Sequence, residues 1–498
     1  LSQSAIGRNT DQTFYFDARL DWRRSFGDHN LSAMAMYMMR EYRNDVLPNR
    51  NQGYSGRVTY DYANKYLLEF NFGYNGSERL ASGQRFEFFP AVSAGWVVSS
   101  EKFWEPISKY VNHFKIRSSY GLVGSDAFAS GAPHFLYQNN IGIGKADNYW
   151  TGLPTSETAK QGPAFWVLAV QNAGWEHVKK FDIGVDLSLF NQVNITFDYF
   201  HDVRNRILMA RASWPVMLGY WGSKPWSNIG EVVNQGFELS VNWTKQFGKD
   251  LMVDFRGNFT YNQNEHRYVD EPNYPYVWQT DTGKPLNTYK GYIAEGLFSS
   301  EEESQLGANI MPGDIKYRDI NGDGKITTED QVMISSYDWK PRIQYGFGLN
   351  VVYKNFDLGV FFSGSAKRKI MLNSGMAPFL SGGGDGEEGE TLERNLMDWI
   401  ANDHWSVDNP NPNAAYPRLG ISKTDINNNI QSSTYWLRNG NFLRFKTLEI
   451  GYRLPYCRIY LSGDNLAVFS PFKLWDPELA WNVYPFSRTF NLGVQFTF

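Results

Sequence analysis

Phe490-Asn491-Leu492-Gly493-Val494-Gln495-Phe496-Thr497-Phe498 alternates without a break between apolar and polar or small residues. Successive side chains of a β-strand point to opposite faces, so this stretch makes a ribbon with one wholly apolar face. The pattern returns in Phe181, Ile183, Val185, Leu187 and Leu189, and in Val193, Ile195, Phe197 and Tyr199. It returns again in Leu251, Val253, Phe255, Phe259 and Tyr261, set against Asp254, Arg256, Asn258, Thr260 and Asn262. That run is long enough to cross a bilayer as a tilted strand, which takes about 9–11 residues, whereas a globular strand averages about 5–6.

Working outward, fifteen strands are expected: 12–25, 29–40, 53–62, 64–75, 86–98, 112–123, 175–190, 192–208, 229–246, 250–266, 341–353, 355–364, 441–454, 457–464 and 488–498. Their connections alternate in length. Short ones are Phe26-Gly27-Asp28, Ala63, Asn191, Phe247-Gly248-Lys249, Lys354 and Pro455-Tyr456, with 99–111 a longer one holding a short helix at Glu101–Glu105. The other set is 41–52, 76–85, 124–174, 209–228, 267–340, 365–440 and 465–487. Tight turns at one end and long loops at the other are the habit of outer-membrane barrels. A soluble sandwich or propeller has no reason for it. The fold class expected is therefore all-β, a transmembrane antiparallel β-barrel in the outer membrane, with 267–340 and 365–440 as long extracellular loops. With the long loops outside, strand 12–25 runs downward, and fifteen is odd where bacterial barrels have even counts. Residues 1–498 are thus expected to be the C-terminal part of a single barrel domain whose first strands lie upstream.

Composition narrows the function. Lys and Arg number 48 against 52 Asp and Glu, a net charge of −4, which argues against a nucleic-acid partner. Cys457 is the single cysteine, so neither a disulfide framework nor a thiolate metal cluster is available. The aromatic content is high, with 35 Phe, 30 Tyr and 17 Trp, and no window supplies the apolar run of about 18 residues that a membrane helix needs. Residues such as Tyr199 and Trp243 suit an interfacial girdle.

Several segments resemble the SusC/RagA family, TonB-dependent outer-membrane transporters of Bacteroidota. They are Pro312-Gly313-Asp314-Ile315-Lys316-Tyr317-Arg318-Asp319-Ile320-Asn321-Gly322-Asp323-Gly324-Lys325-Ile326, Asn409-Pro410-Asn411 with Tyr416-Pro417-Arg418-Leu419, and Asn439-Gly440-Asn441-Phe442-Leu443-Arg444-Phe445 on to Gly451-Tyr452-Arg453-Leu454-Pro455. Ser462-Gly463-Asp464-Asn465-Leu466 and Trp475-Asp476-Pro477-Glu478 complete the set in family order. The resemblance implies a barrel of about 22 strands around an N-terminal plug, of which this chain carries fifteen, with the plug and first strands upstream. It also implies import of oligosaccharides or peptides with a SusD-like surface lipoprotein, driven by TonB through the upstream part. The alternatives are a passive porin or structural barrel, and a soluble calcium-dependent binding protein.

The sharpest local motif is Asp319-Ile320-Asn321-Gly322-Asp323-Gly324-Lys325 with Asp330 at position twelve. An EF-hand-type loop offers oxygens at positions 1, 3, 5, 7 and 12 with glycine at 6. Asp319, Asn321, Asp323, the Lys325 carbonyl and Asp330 are the expected ligands of a structural Ca²⁺, Thr327 assisting directly or through water. The competing reading is a solvated turn that binds nothing. Ser300-Glu301-Glu302-Glu303 reads as a capping box, and Leu392, Leu396, Trp399 and Ile400 as a helical face beyond the glycine-rich run Gly382–Glu388. Trp221, Trp226 and Trp278, with Trp150, Trp166, Trp399 and Trp405, are loop aromatics that would stack on sugar rings or peptide side chains, or else pack the loops. No enzyme is expected: the seven histidines lack metal-ligand spacing, and there is no nucleophile elbow or Walker loop.

Overall fold

A computed structural model describes residues 11–43, 48–128, 132–143, 148–150, 159–215, 217, 224–300, 310–372, 398–420, 426–479 and 484–497. Fifteen strands form one sheet, each beside its neighbours in sequence. They are β1 (Gln12–Phe26), β2 (His29–Arg43), β3 (Asn49–Tyr62), β4 (Tyr66–Ser77), β5 (Phe86–Val97), β6 (Val111–Ser125), β7 (Glu176–Leu189) and β8 (Val193–Ala210). There follow β9 (Trp226–Phe247), β10 (Leu251–Tyr268), β11 (Ile343–Tyr353), β12 (Phe356–Ala366), β13 (Phe442–Arg453), β14 (Cys457–Phe469) and β15 (Thr489–Phe496). All fifteen expected strands are present and the sheet is antiparallel. The chain packs as two units, the first holding β1–β8 and the second β11–β15.

In the first unit the apolar face is open on β1 and on β3 to β8. On β4, Tyr66, Leu68, Phe70 and Tyr74 are all exposed, as is Leu20 on β1, 73% accessible. A water-facing surface of that kind would be an aggregation hazard. On a membrane strand it meets acyl chains. At the short-turn end Tyr62, Tyr66 and Trp96 stack in a row with centroids 6.3 and 6.4 Å apart, the aromatic girdle the composition announced. Glu101 ties that row down, accepting from the Tyr66 hydroxyl at 2.7 Å and pairing with Lys65 at 3.3 Å. The helix expected at Glu101–Glu105 is a short 3-10 helix, Lys102–Ile107.

The polar face carries ions instead. Arg117 on β6 lies opposite Gly184, among Asp182 and Asp186 of β7 and Asp198 of β8, with contacts of 3.5, 3.3 and 2.6 Å. A Cβ on Gly184 would run into the Asp198 carboxylate and the guanidinium, so the absent side chain makes room for this cluster. Two short turns are longer than the single residue expected. Tyr62 pairs with Tyr66 and Leu189 with Val193, leaving three residues in each connection, of which Ala63-Asn64 and Phe190-Asn191 are left-handed pairs with φ between +52° and +56°.

In the second unit β11–β15 repeat the pattern, with Phe490, Leu492 and Phe496 exposed on the apolar face. Arg458 donates to both Asp357 and Glu449 on the polar face. The largest boundary difference is β14, which runs to Phe469 rather than stopping at 464. A register shift between Phe445 and Thr447 on the partner strand, and Asn465 at φ 55°, break the alternation there. The expected helix around 392–400 is described only at Asp398–Ala401, and the Glu301–Glu303 capping box and Gly382–Glu388 lie outside the described residues.

Candidate functional site

The connections 269–342, 367–441 and 470–488 of the second unit do not hang separately. Tyr292, Leu297, Ile315, Tyr317, Ile370, Leu372, Ile400, Trp405, Tyr416, Trp436 and Phe472, drawn from all three, pack into one hydrophobic core. Short strand pairs stitch it: Ala294–Leu297 with Ile315–Tyr317, Tyr289–Gly291 with Val332–Ser335, and Lys369–Met371 with Leu437–Asn439. Apolar residues spaced along long loops thus make a folded cap, because burial against each other is the one way they leave water.

Two buried polar hubs set the cap's geometry, and both are built from the segments quoted above. Asp314 is 1% exposed and accepts from Arg418 Nε at 2.9 Å and Asn429 Nδ2 at 2.8 Å. Its neighbour Gly313 has φ +86°, and a Cβ there would enter the Trp405 ring, which explains glycine before the aspartate. Arg444, 3% exposed, bonds Asn465, Asp476 and, at 2.9 Å, Glu478. Buried charges of this sort are tolerated only when paired and hydrogen-bonded.

The Asp319–Asp330 loop leaves the cap directly after Ile315–Tyr317. Gly322 and Gly324 take φ of +77° and +79°, which turn the chain sharply enough for Asp319 to accept both their N–H groups, at 2.6 and 2.7 Å. Asn321 Oδ1 accepts from Asp323 N and Asp323 Oδ1 from Lys325 N. The Gly324 N–H, ahead of the other donors, holds the Asp319 carboxyl below the usual carboxylate range. Asp330 is fully buried, with Oδ1 on the Ile320 N–H and Oδ2 on the Thr327 N–H, both at 2.8 Å. Thr327 caps the 3-10 turn Thr328–Asp330 through its hydroxyl. All the candidate donor atoms are hard oxygens, the type Ca²⁺ takes, and Asp330 Oδ1 among them already accepts the Ile320 and Asn321 N–H groups. Among the described residues no three His, Cys, Asp or Glu side chains gather at metal-binding spacing, so a cation would also draw on the Asn321 amide oxygen and the Lys325 carbonyl.

The loop aromatics divide. Trp278 stacks on Tyr276 with centroids 4.5 Å apart, and its indole N–H donates to the Glu329 carbonyl at 2.7 Å, so it braces the Asp319–Asp330 loop. Trp226 opens β9 and packs on the cluster of Leu136, Ala173 and Leu208. Trp221 lies outside the described residues. Trp405 is in the cap core, whereas Trp399 is 45% exposed and walls a cavity of about 440 Å³ with Phe472, Tyr416 and Arg438. Neither hub was foreseen: Asp314 and Arg418 stand 104 residues apart, and the quoted motifs were the sole signal that these residues mattered.

Sequence relatives agree with this architecture. TonB-dependent receptor P3 of Formosa agariphila is 26% identical over 99% of the chain and 53% of its own length. TonB-dependent receptor SusC of Bacteroides thetaiotaomicron is 25% identical over 92% of the chain and 45% of its own. The chain resembles SusC/RagA-type proteins. A structure of the RagAB peptide transporter superposes with a TM-score of 0.73 at 20% identity, over 98% of this chain and 55% of that one, and so matches this chain in fold. No family model matches. The chain is an outer-membrane β-barrel protein, and it spans about half the length of the curated relatives it matches. Those relatives are named as receptors and transporters, not as enzymes.

Proposed function

We propose that the full-length protein imports oligosaccharides or peptides through the outer membrane, with a SusD-like lipoprotein over its extracellular face and TonB as its energy source. The observation that carries this reading is the cap: three long connections on one end of a membrane sheet share a single core held by the Asp314 and Arg444 hubs. A passive porin needs an open mouth rather than a folded roof. The relatives' names support the same reading, SusC and the RagAB peptide transporter among them. Uptake of fluorescent oligosaccharides or peptides should stop when TonB is deleted and when the neighbouring lipoprotein is deleted. Uptake that continues without TonB would identify a passive pore instead.

The same reading gives the Asp319–Asp330 loop a structural Ca²⁺, held by Asp319, Asn321, Asp323, the Lys325 carbonyl and Asp330. Support comes from the all-oxygen donor set and the turn glycines. Because Trp278 touches this loop, Tb³⁺ bound in place of Ca²⁺ should luminesce on tryptophan excitation. The signal should fall in Trp278→Phe and Asp319→Asn, and its absence in the native protein would leave the loop as a hydrogen-bonded turn.

A further inference from the structure

We propose that the cavity walled by Trp399, Phe472 and Arg438 is a cargo subsite for a carboxylate carried on a ring or other apolar body. This rests on the import reading above and gives it a substrate chemistry. The cavity of about 440 Å³ lies within the range of small-ligand sites, roughly 300–1,000 Å³. Its walls are mainly aromatic and aliphatic, with Tyr416 and Phe472 buried and the Trp399 ring partly open to solvent.

The charge in it is what selects the ligand. Arg438 sits on the short strand Leu437–Asn439, locked by pairing with Lys369–Met371. Its guanidinium donates to the Tyr435 carbonyl oxygen, and no carboxylate of the described residues lies within ion-pair distance of it. Arg418 and Arg444 are each held by carboxylates, whereas Arg342, Arg368 and Arg438 have none among the described residues, and of these three it is Arg438 that lines this cavity. Burial pushes its pKa down, which is the cost an incoming anion would relieve. Lys473, exposed on the same lining, adds a second positive charge, while the one acid there, Asp403, already accepts the Ala415 N–H. A planar guanidinium fork beside aromatic walls matches a carboxylate attached to a hydrophobic or pyranose body. A uronic acid of a glycan and the C-terminus of a peptide both present that group.

The test is calorimetric titration of the full-length transporter in detergent with four probes: trigalacturonate, its methyl ester, and the peptide Ala-Ala-Phe with a free or an amidated C-terminus. One charged probe should bind at least about tenfold more tightly than its neutral counterpart, the expected worth of one charge-assisted contact. Which pair responds separates glycan from peptide as the source. Arg438→Gln should erase the difference and Arg438→Lys restore part of it, while Lys249→Gln, in the short turn between β9 and β10, leaves it intact. If Arg438→Gln loses heat-modifiable migration, Trp399→Ala reads the same cavity, and unchanged affinity in that exposed-residue variant overturns the proposal. Charged probes that bind no better than neutral ones also overturn it. TonB-dependent uptake alongside that result would leave import standing without this subsite, whereas TonB-independent uptake would remove the import reading whatever the probes do.

Discussion

Gly313 and Asp314 show how two adjacent residues commit a whole loop. The left-handed φ of Gly313 is cheap for glycine, but an L side chain there costs about 1–2 kcal/mol in backbone strain before any clash. Gly313→Ala should therefore loosen the cap around Trp405, seen as faster proteolysis of the long loops. The charge beside it is worth more. Removing Arg418 leaves the Asp314 carboxylate buried and unpaired, and breaking a buried pair costs about 3–5 kcal/mol. Arg418→Ala should raise amide exchange across 426–436 and 310–317, whereas Arg19→Ala, at a pair exposed on both sides, should change nothing measurable there. The pH response belongs to Asp319. Its pKa is depressed in the folded loop, so the stabilisation is complete above the unfolded value near 3.8 and is lost as pH falls through the lower folded value. Exchange of the Gly322 and Gly324 amides, corrected for intrinsic rates, should accelerate at that acid end and stay flat through neutrality.

At the scale of the element, strands are what the sequence states most clearly. Alternation and length depend on neighbours two residues apart, so each strand announces itself locally. Where the signal failed, the cause is visible. β3 begins at Asn49 rather than 53, because Asn49–Gln52 are polar on both faces, and β14 was cut short where the bulge and Asn465 interrupt the period. The polar faces are less legible, since Arg117 and its three aspartates come from three strands. Gly184→Val should dislodge that arginine without touching the lipid-facing residues. The expected result is a lower temperature for loss of heat-modifiable migration, with Ser188→Val, further along the same face, as the comparison.

Taken as a molecule, the chain divides into a part readable by eye and a part that is not. The sheet follows from periodicity, and the family resemblance rested on motifs in 312–326, 409–419 and 439–478. The cap did not follow, because its contacts join residues such as Asp314 and Asn429, 115 positions apart, across segments with no regular period. The candidate metal ligands fall on one continuous loop, and the structure adds that their oxygens are already organised by backbone donors. The full-length protein should fractionate with outer membranes and run differently on gels before and after boiling. A soluble, heat-insensitive species would contradict the lipid-facing assignment of Leu20, Leu68 and Leu492.

One core shared by three connections also constrains how proteins built this way diversify. A single loop exchanged with a relative would import side chains shaped for a different set of neighbours, leaving a misfit where Trp405 or Trp436 expects its old contacts. New cargo preference is therefore expected to move between these proteins as a block of all three loops at once, and chimeras that transplant only one should lose expression before they change taste.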